Sequence, residues 1–139
     1  MLKRPKGGNM ADYVIWLDSE KAQIFNLKPS GIEKSHFEKS GMDHHSRNKK
    51  DHHGDPATEH FFRDLAQKLK GAEQLLILGP GLAKNHFKTH LETHHVNGLA
   101  GKVVGMENSD HPTDNQILEI ARKFFKTYDL FNNPITAVK

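Results

Sequence analysis

The chain has 139 residues, with 20 Lys+Arg against 17 Asp+Glu, 11 His and no Cys. This length suits one compact domain. The missing Cys removes disulfides, thiolate metal sites, iron–sulfur clusters and Cys nucleophiles. No apolar run approaches the roughly 18 residues of a membrane span, and the charged start Met1-Leu2-Lys3-Arg4 leads into no apolar stretch of a signal peptide. The expected location is therefore the cytoplasm.

Residues 1–11 read as a flexible basic tail broken by Pro5, Gly7 and Gly8. Asp12 to Asp18 is rich in β-branched and aromatic residues and predicts a strand. Ala22 to Leu27 predicts a second, forming a hairpin with the first. Pro29-Ser30-Gly31 is a turn, and Ile32 to Phe37 reads as a third strand near a sheet edge. The segment KSGMDHHSRNKKDHHGD, Lys39 to Asp55, has Met42 as its one large apolar residue. It cannot supply core and reads as a long exposed loop, a type that often carries function.

Asp55 as cap and Pro56 at the first helical position open a helix. Its stripe is Phe61, Phe62, Leu65, Ala66 and Leu69, and Gly71 ends it. Glu73 to Leu78 is a continuous apolar run, expected to be a central strand covered on both faces. Gly79-Pro80-Gly81 turns the chain into a helix from about Leu82 to His95, with stripe Ala83, Phe87 and Leu91. Lys102 to Gly105 reads as a short strand. Thr113-Asp114-Asn115-Gln116 reads as a capping box for a last helix carrying Ile117, Ile120, Ala121, Phe124, Phe125 and Tyr128 on one face. The order β-β-β-α-β-α-β-α predicts a three-layer, ribonuclease H-like α/β domain over residues 12–133, with a mixed five-stranded sheet and a tail over 134–139.

The chemistry concentrates in the loop. Lys39, Arg47, Lys49 and Lys50 suit phosphate, and His44, His45, His52 and His53 can add hydrogen bonds or base stacking. Three acids, Asp43, Asp51 and Asp55, offset most of that charge, so a solvated loop without a partner is the plain alternative. Lys84 and Lys88 flank the glycine turn, where helix amides could receive an anion. The four loop histidines, with His86 and His90, are an alternative metal-binding set. His86, His90 and His94 recur at four-residue spacing along one side of a helix, where the plain reading is a polar edge beside Phe87 and Leu91. Asp12, Asp18, Glu107 and Asp110 are the acids that metal-dependent nuclease chemistry would use, although their spacing does not demand convergence. No nucleophile elbow, Walker or dinucleotide-binding pattern is present.

The hairpin VIWLDSEKAQIFNL, the long polar loop before a helix, the strand and turn LLILGPGLAKNHFKTHL, the strand KVVGM and the last amphipathic helix together resemble a known family. From about Val14 to Tyr128 the chain resembles the middle domain of archaeal and eukaryotic class 1 release factors and of Pelota. It is closer still to small bacterial proteins known as translational machinery proteins. In the release factors, the loop after the third strand carries the Gly-Gly-Gln that triggers peptidyl-tRNA hydrolysis. Lys39 to Asp55 contains no such motif, so that activity is not carried over. Pelota-like proteins have a basic loop there instead. The resemblance implies a non-catalytic RNA-binding module acting on the ribosome or tRNA, in rescue, hibernation or stress protection, with no cofactor. A protein–protein adaptor using the loop is a further alternative. Decoding and termination by this chain alone are not expected.

Overall fold

The structure, a computed structural model, describes residues 11–39, 56–94 and 98–132, the last five of these by backbone alone. Five strands and three helices follow in the expected order. They are β1 (Asp12–Leu17), β2 (Lys21–Lys28), β3 (Gly31–Glu38), α1 (Pro56–Lys68), β4 (Gln74–Gly79), α2 (Ala83–His94), β5 (Val103–Asn108) and α3 (Asp114–Asn132). They form one mixed sheet in the order β3-β2-β1-β4-β5. The β1–β2 and β2–β3 pairs are antiparallel, whereas β1–β4 and β4–β5 are parallel.

The period of two along each strand divides the apolar residues between two cores. Ile15 and Leu17 of β1 join Leu75 and Ile77 of β4 on one face, under α1 and α2 through Phe61, Phe62, Leu65, Phe87 and Leu91. Val14 and Trp16 join Leu76 and Leu78 on the other face, under α3 through Ile117, Ala121 and Phe125. All six residues of β4 are buried, which is why that segment reads as unbroken apolar sequence. Each fully buried Leu, Ile or Phe contributes about 1.5–3 kcal/mol by leaving water, so the paired faces of β1 and β4 hold the three layers together.

Two local details set the geometry near the site. Gly79 ends β4 at φ +154°, where a Cβ would lie 2.1 Å from the Leu17 carbonyl oxygen. Glycine is what lets the chain turn into α2 this close to β1. The capping box forms as read: Thr113 Oγ1 accepts from the Gln116 amide at 3.2 Å, and Gln116 Oε1 accepts from the Thr113 amide at 2.8 Å.

The sequence reading departs from the structure in three places. A 3-10 turn over Leu99–Lys102, not anticipated, carries the chain from α2 into β5 and buries Leu99. Strand β5 runs on to Asn108, three residues beyond the apolar run, because β4 supplies its backbone partners through Gly79. His90, read as part of a polar edge, and Lys84, read as flanking the glycine turn, are buried at 8% and 6% exposure. Tyr128, assigned to the apolar face of the last helix, lies outside the residues with described side chains.

Candidate functional site

The loop residues His44, His45, Arg47, Lys49, Lys50, His52 and His53 lie outside the described residues. The described fold fixes the two ends between which they are strung. Strand β3 delivers the chain to Lys39, and α1 resumes it at Pro56. The ends meet through a side chain: Lys39 Nζ donates to Thr58 Oγ1 at 3.2 Å, and both residues are buried. The Lys39 amide also donates to the Glu20 carbonyl at 2.8 Å. Lys39 thus ties the end of β3 to the first turn of α1.

Lys84 is accounted for in a similar way. Its ammonium donates to the Gly81 carbonyl at 2.6 Å, one turn back across the glycine corner. This bond fastens the start of α2. Lys88 remains half-exposed on α2 and pairs with Glu92 one turn along at 3.2 Å. That pair is worth little on a solvated helix face.

The described side chains that do converge lie between α1 and α2. The four-residue repeat on α2 places His90 and His94 one turn apart, with ring centroids 4.4 Å from each other. Glu59, in the first turn of α1, reaches across to both. Its Oε1 lies 3.6 Å from His90 Nδ1 and 3.7 Å from His94 Nε2. His90 is packed edge-on against Phe62 at 5.5 Å and parallel to Phe87 at 6.4 Å, so two core rings hold its imidazole. His94 is half-exposed at the rim.

Burial, followed by the charge of His94, holds the His90 imidazole below its ordinary pKa of 6.5; Glu59 pulls the other way and Arg63 adds to the depression. His90 is therefore neutral near pH 7, and its approach to Glu59 is not an ion pair there. Its Nδ1 is buried and makes no hydrogen bond. A cavity of about 240 Å³ opens beside the cluster, lined by Glu59, Arg63, Ala66, Gln67, His90 and His94.

His86, the first member of the repeat, lines a smaller cavity of about 100 Å³ with Thr58 and Phe62, which Glu59, His90 and His94 also line. It is not part of the three-residue group. Sequence reasoning found the histidine repeat but missed Glu59, because nothing in the spacing of α1 announces which helix it will face. Nor do the carboxylates considered for nuclease chemistry assemble. Asp18 accepts the amides of Glu20 and Lys21 at 2.8 and 2.9 Å and caps its own turn. His111 lies between Asp18 and Asp110, at 3.6 and 3.1 Å, through opposite ring nitrogens. Among the described residues, Asp12, Asp18, Glu107 and Asp110 form no three-ligand group.

Among the described residues, no helix is long and apolar enough to cross a membrane. No protein-family model matches the chain, and no curated protein matches its sequence. Solved structures do share its fold. Pelota from Thermoplasma acidophilum is 21% identical with a TM-score of 0.56, over 79% of this chain and 31% of that one. Pelota from Archaeoglobus fulgidus is 19% identical with a TM-score of 0.58, over 84% of this chain and 32% of that one. An archaeal translation termination factor is 16% identical with a TM-score of 0.53, over 92% of this chain and 42% of that one. The chain spans between 31% and 42% of the length of these three structures. At such identities the likeness is one of fold: this chain is built like a part of Pelota and of an archaeal translation termination factor.

Proposed function

We propose that the chain is a non-catalytic RNA-binding module that works on the ribosome or on tRNA. The observation that carries this reading is the fold shared with Pelota and a translation termination factor, combined with the position of the segment 40–55 between β3 and α1. The resemblance puts Gly-Gly-Gln of release factors at that position. Here the sequence has Arg47, Lys49 and Lys50 among two His pairs instead. Such a segment suits phosphate neutralisation, with imidazoles for hydrogen bonding or stacking. It contains no Gly-Gly-Gln.

In this reading residues 12–133 are the domain, flanked by tails over 1–11 and 134–139, and the protein works in the cytoplasm. The contact set is Lys39, Arg47, Lys49, Lys50, the four loop histidines, Lys84 and Lys88, of which Lys39 and Lys84 also hydrogen-bond within the fold. The test is co-sedimentation of untagged protein with ribosomes over a salt series, beside the triple variant Arg47→Ala, Lys49→Ala, Lys50→Ala. Wild type is expected to travel with ribosomes at low salt. The triple variant is expected to bind more weakly, with the log–log salt slope smaller by about two for three lost phosphate contacts. Wild-type protein that stays at the top of the gradient at low salt overturns the ribosome reading, and an unaltered slope in the triple variant removes the loop from it.

A further inference from the structure

We infer that Glu59, His90 and His94 form a binding site for a zinc-class divalent transition-metal ion, separate from the loop histidines. One donor atom from each of the three lies within 4.8 Å of the other two. The separations from Glu59 Oε1 are 3.6 Å to His90 Nδ1 and 3.7 Å to His94 Nε2. A tetrahedral ion with bonds near 2.1 Å holds its ligand atoms about 3.4 Å apart. The two measured edges thus need to close by only a few tenths of an ångström.

The observation independent of spacing is the buried His90 Nδ1. It has no hydrogen-bond partner, although an unsatisfied buried polar atom costs free energy. Phe62 and Phe87 fix the ring around it. A metal ion on this nitrogen satisfies it and uses the neutral imidazole that ligation requires. Two imidazoles and one carboxylate are a borderline donor set, which favours zinc-class ions over magnesium or calcium.

Three protein ligands leave the fourth position open, and the adjoining cavity of about 240 Å³ has room for water or a small anion there. Arg63 lines that cavity, and its charge opposes a bare dication. Glu59 supplies the compensating charge from the same helix. The site joins the first turn of α1 to the last turn of α2. Occupancy is therefore expected to stabilise the end of α1 at which the segment 40–55 enters.

The test uses the full untagged chain, stripped of metal and titrated with zinc chloride in a calorimeter. Variants are His94→Ala, Glu59→Gln, and one with His44, His45, His52 and His53 all changed to Gln. His94 is half-exposed, so its variant is expected to keep the wild-type circular dichroism and metal-free melting temperature. The expected result is a one-to-one site of micromolar or tighter Kd, weakened at least about tenfold by His94→Ala and by Glu59→Gln, and kept by the four-histidine loop variant. In the histidine side-chain NMR spectrum, one equivalent of zinc is expected to move the His90 Nδ1 and His94 Nε2 resonances. Binding weaker than micromolar in the loop variant overturns the proposal. So does an isotherm that a folded His94→Ala leaves unchanged.

Discussion

His90 Nδ1 stands 3.6 Å from Glu59 Oε1, too far for a hydrogen bond, on a ring that is neutral near pH 7 and held against Phe62 and Phe87. Its depressed pKa links folding to pH. In the unfolded chain the group binds a proton near its ordinary value of 6.5, whereas in the folded chain it does so only at lower pH. Below that value the unfolded state holds more protons, so stability falls as the solution is acidified from pH 6.5 towards the folded pKa. Urea midpoints of metal-free protein are expected to drop across this window. The drop is expected to be smaller in His90→Gln, which has no proton to bind there. Parallel profiles for the two proteins would remove His90 as the cause.

At the end of β4, Gly79→Ala places a Cβ 2.1 Å from the Leu17 carbonyl oxygen at φ +154°. Neither partner is a flexible side chain, so the backbone of β1 or β4 must move. A loss of more than about 2 kcal/mol is expected in urea unfolding. Gly81→Ala meets no atom within 4 Å, although its φ of +62° is left-handed. Its cost is expected to be about 1 kcal/mol, the price of the backbone conformation alone.

Gly105 on β5 is crowded by a side chain instead. A Cβ there would lie 2.4 Å from the tip of the Phe124 ring. Gly105→Ala is expected to cost about 1–3 kcal/mol by overpacking. Adding Phe124→Leu shortens the opposing side chain, so the double variant is expected to be more stable than the sum of the single effects. A double-mutant cycle measures the coupling, and additive single effects would show that the ring does not respond to the new methyl group.

Thr113→Ala removes one half of the capping box at the start of α3. The Gln116 amide loses its acceptor, and the reciprocal bond from the Thr113 amide to Gln116 Oε1 loses its support. A loss of about 1 kcal/mol is expected, read as a lower melting temperature. Thr113→Ser keeps the hydroxyl and is expected to restore most of it.

The element order was legible because each signal is local. The β-branched and aromatic run Tyr13 to Leu17, the unbroken run Leu75 to Leu78 and the stripe through Phe61, Phe62 and Leu65 each report burial through nearby residues alone. The capping box was legible for the same reason, since its two halves are three residues apart. The burial of His90 was not legible, because a helical repeat tells which residues share a side but not how far the neighbouring helix overlaps that side. The burial of Lys39 and Lys84 was not legible, because a long aliphatic stem can be buried while its ammonium finds an oxygen nearby.

The sequence by itself determined the order of the five strands and three helices, the absence of thiol chemistry, and the concentration of basic and imidazole side chains between β3 and α1. Those properties follow from residue type and short-range spacing. Only the tertiary structure decided that Glu59 meets His90 and His94, that Lys39 bonds to Thr58, and that Gly79 passes against Leu17. Each of these pairs joins residues from different elements, and their meeting depends on how the helices and strands pack on one sheet.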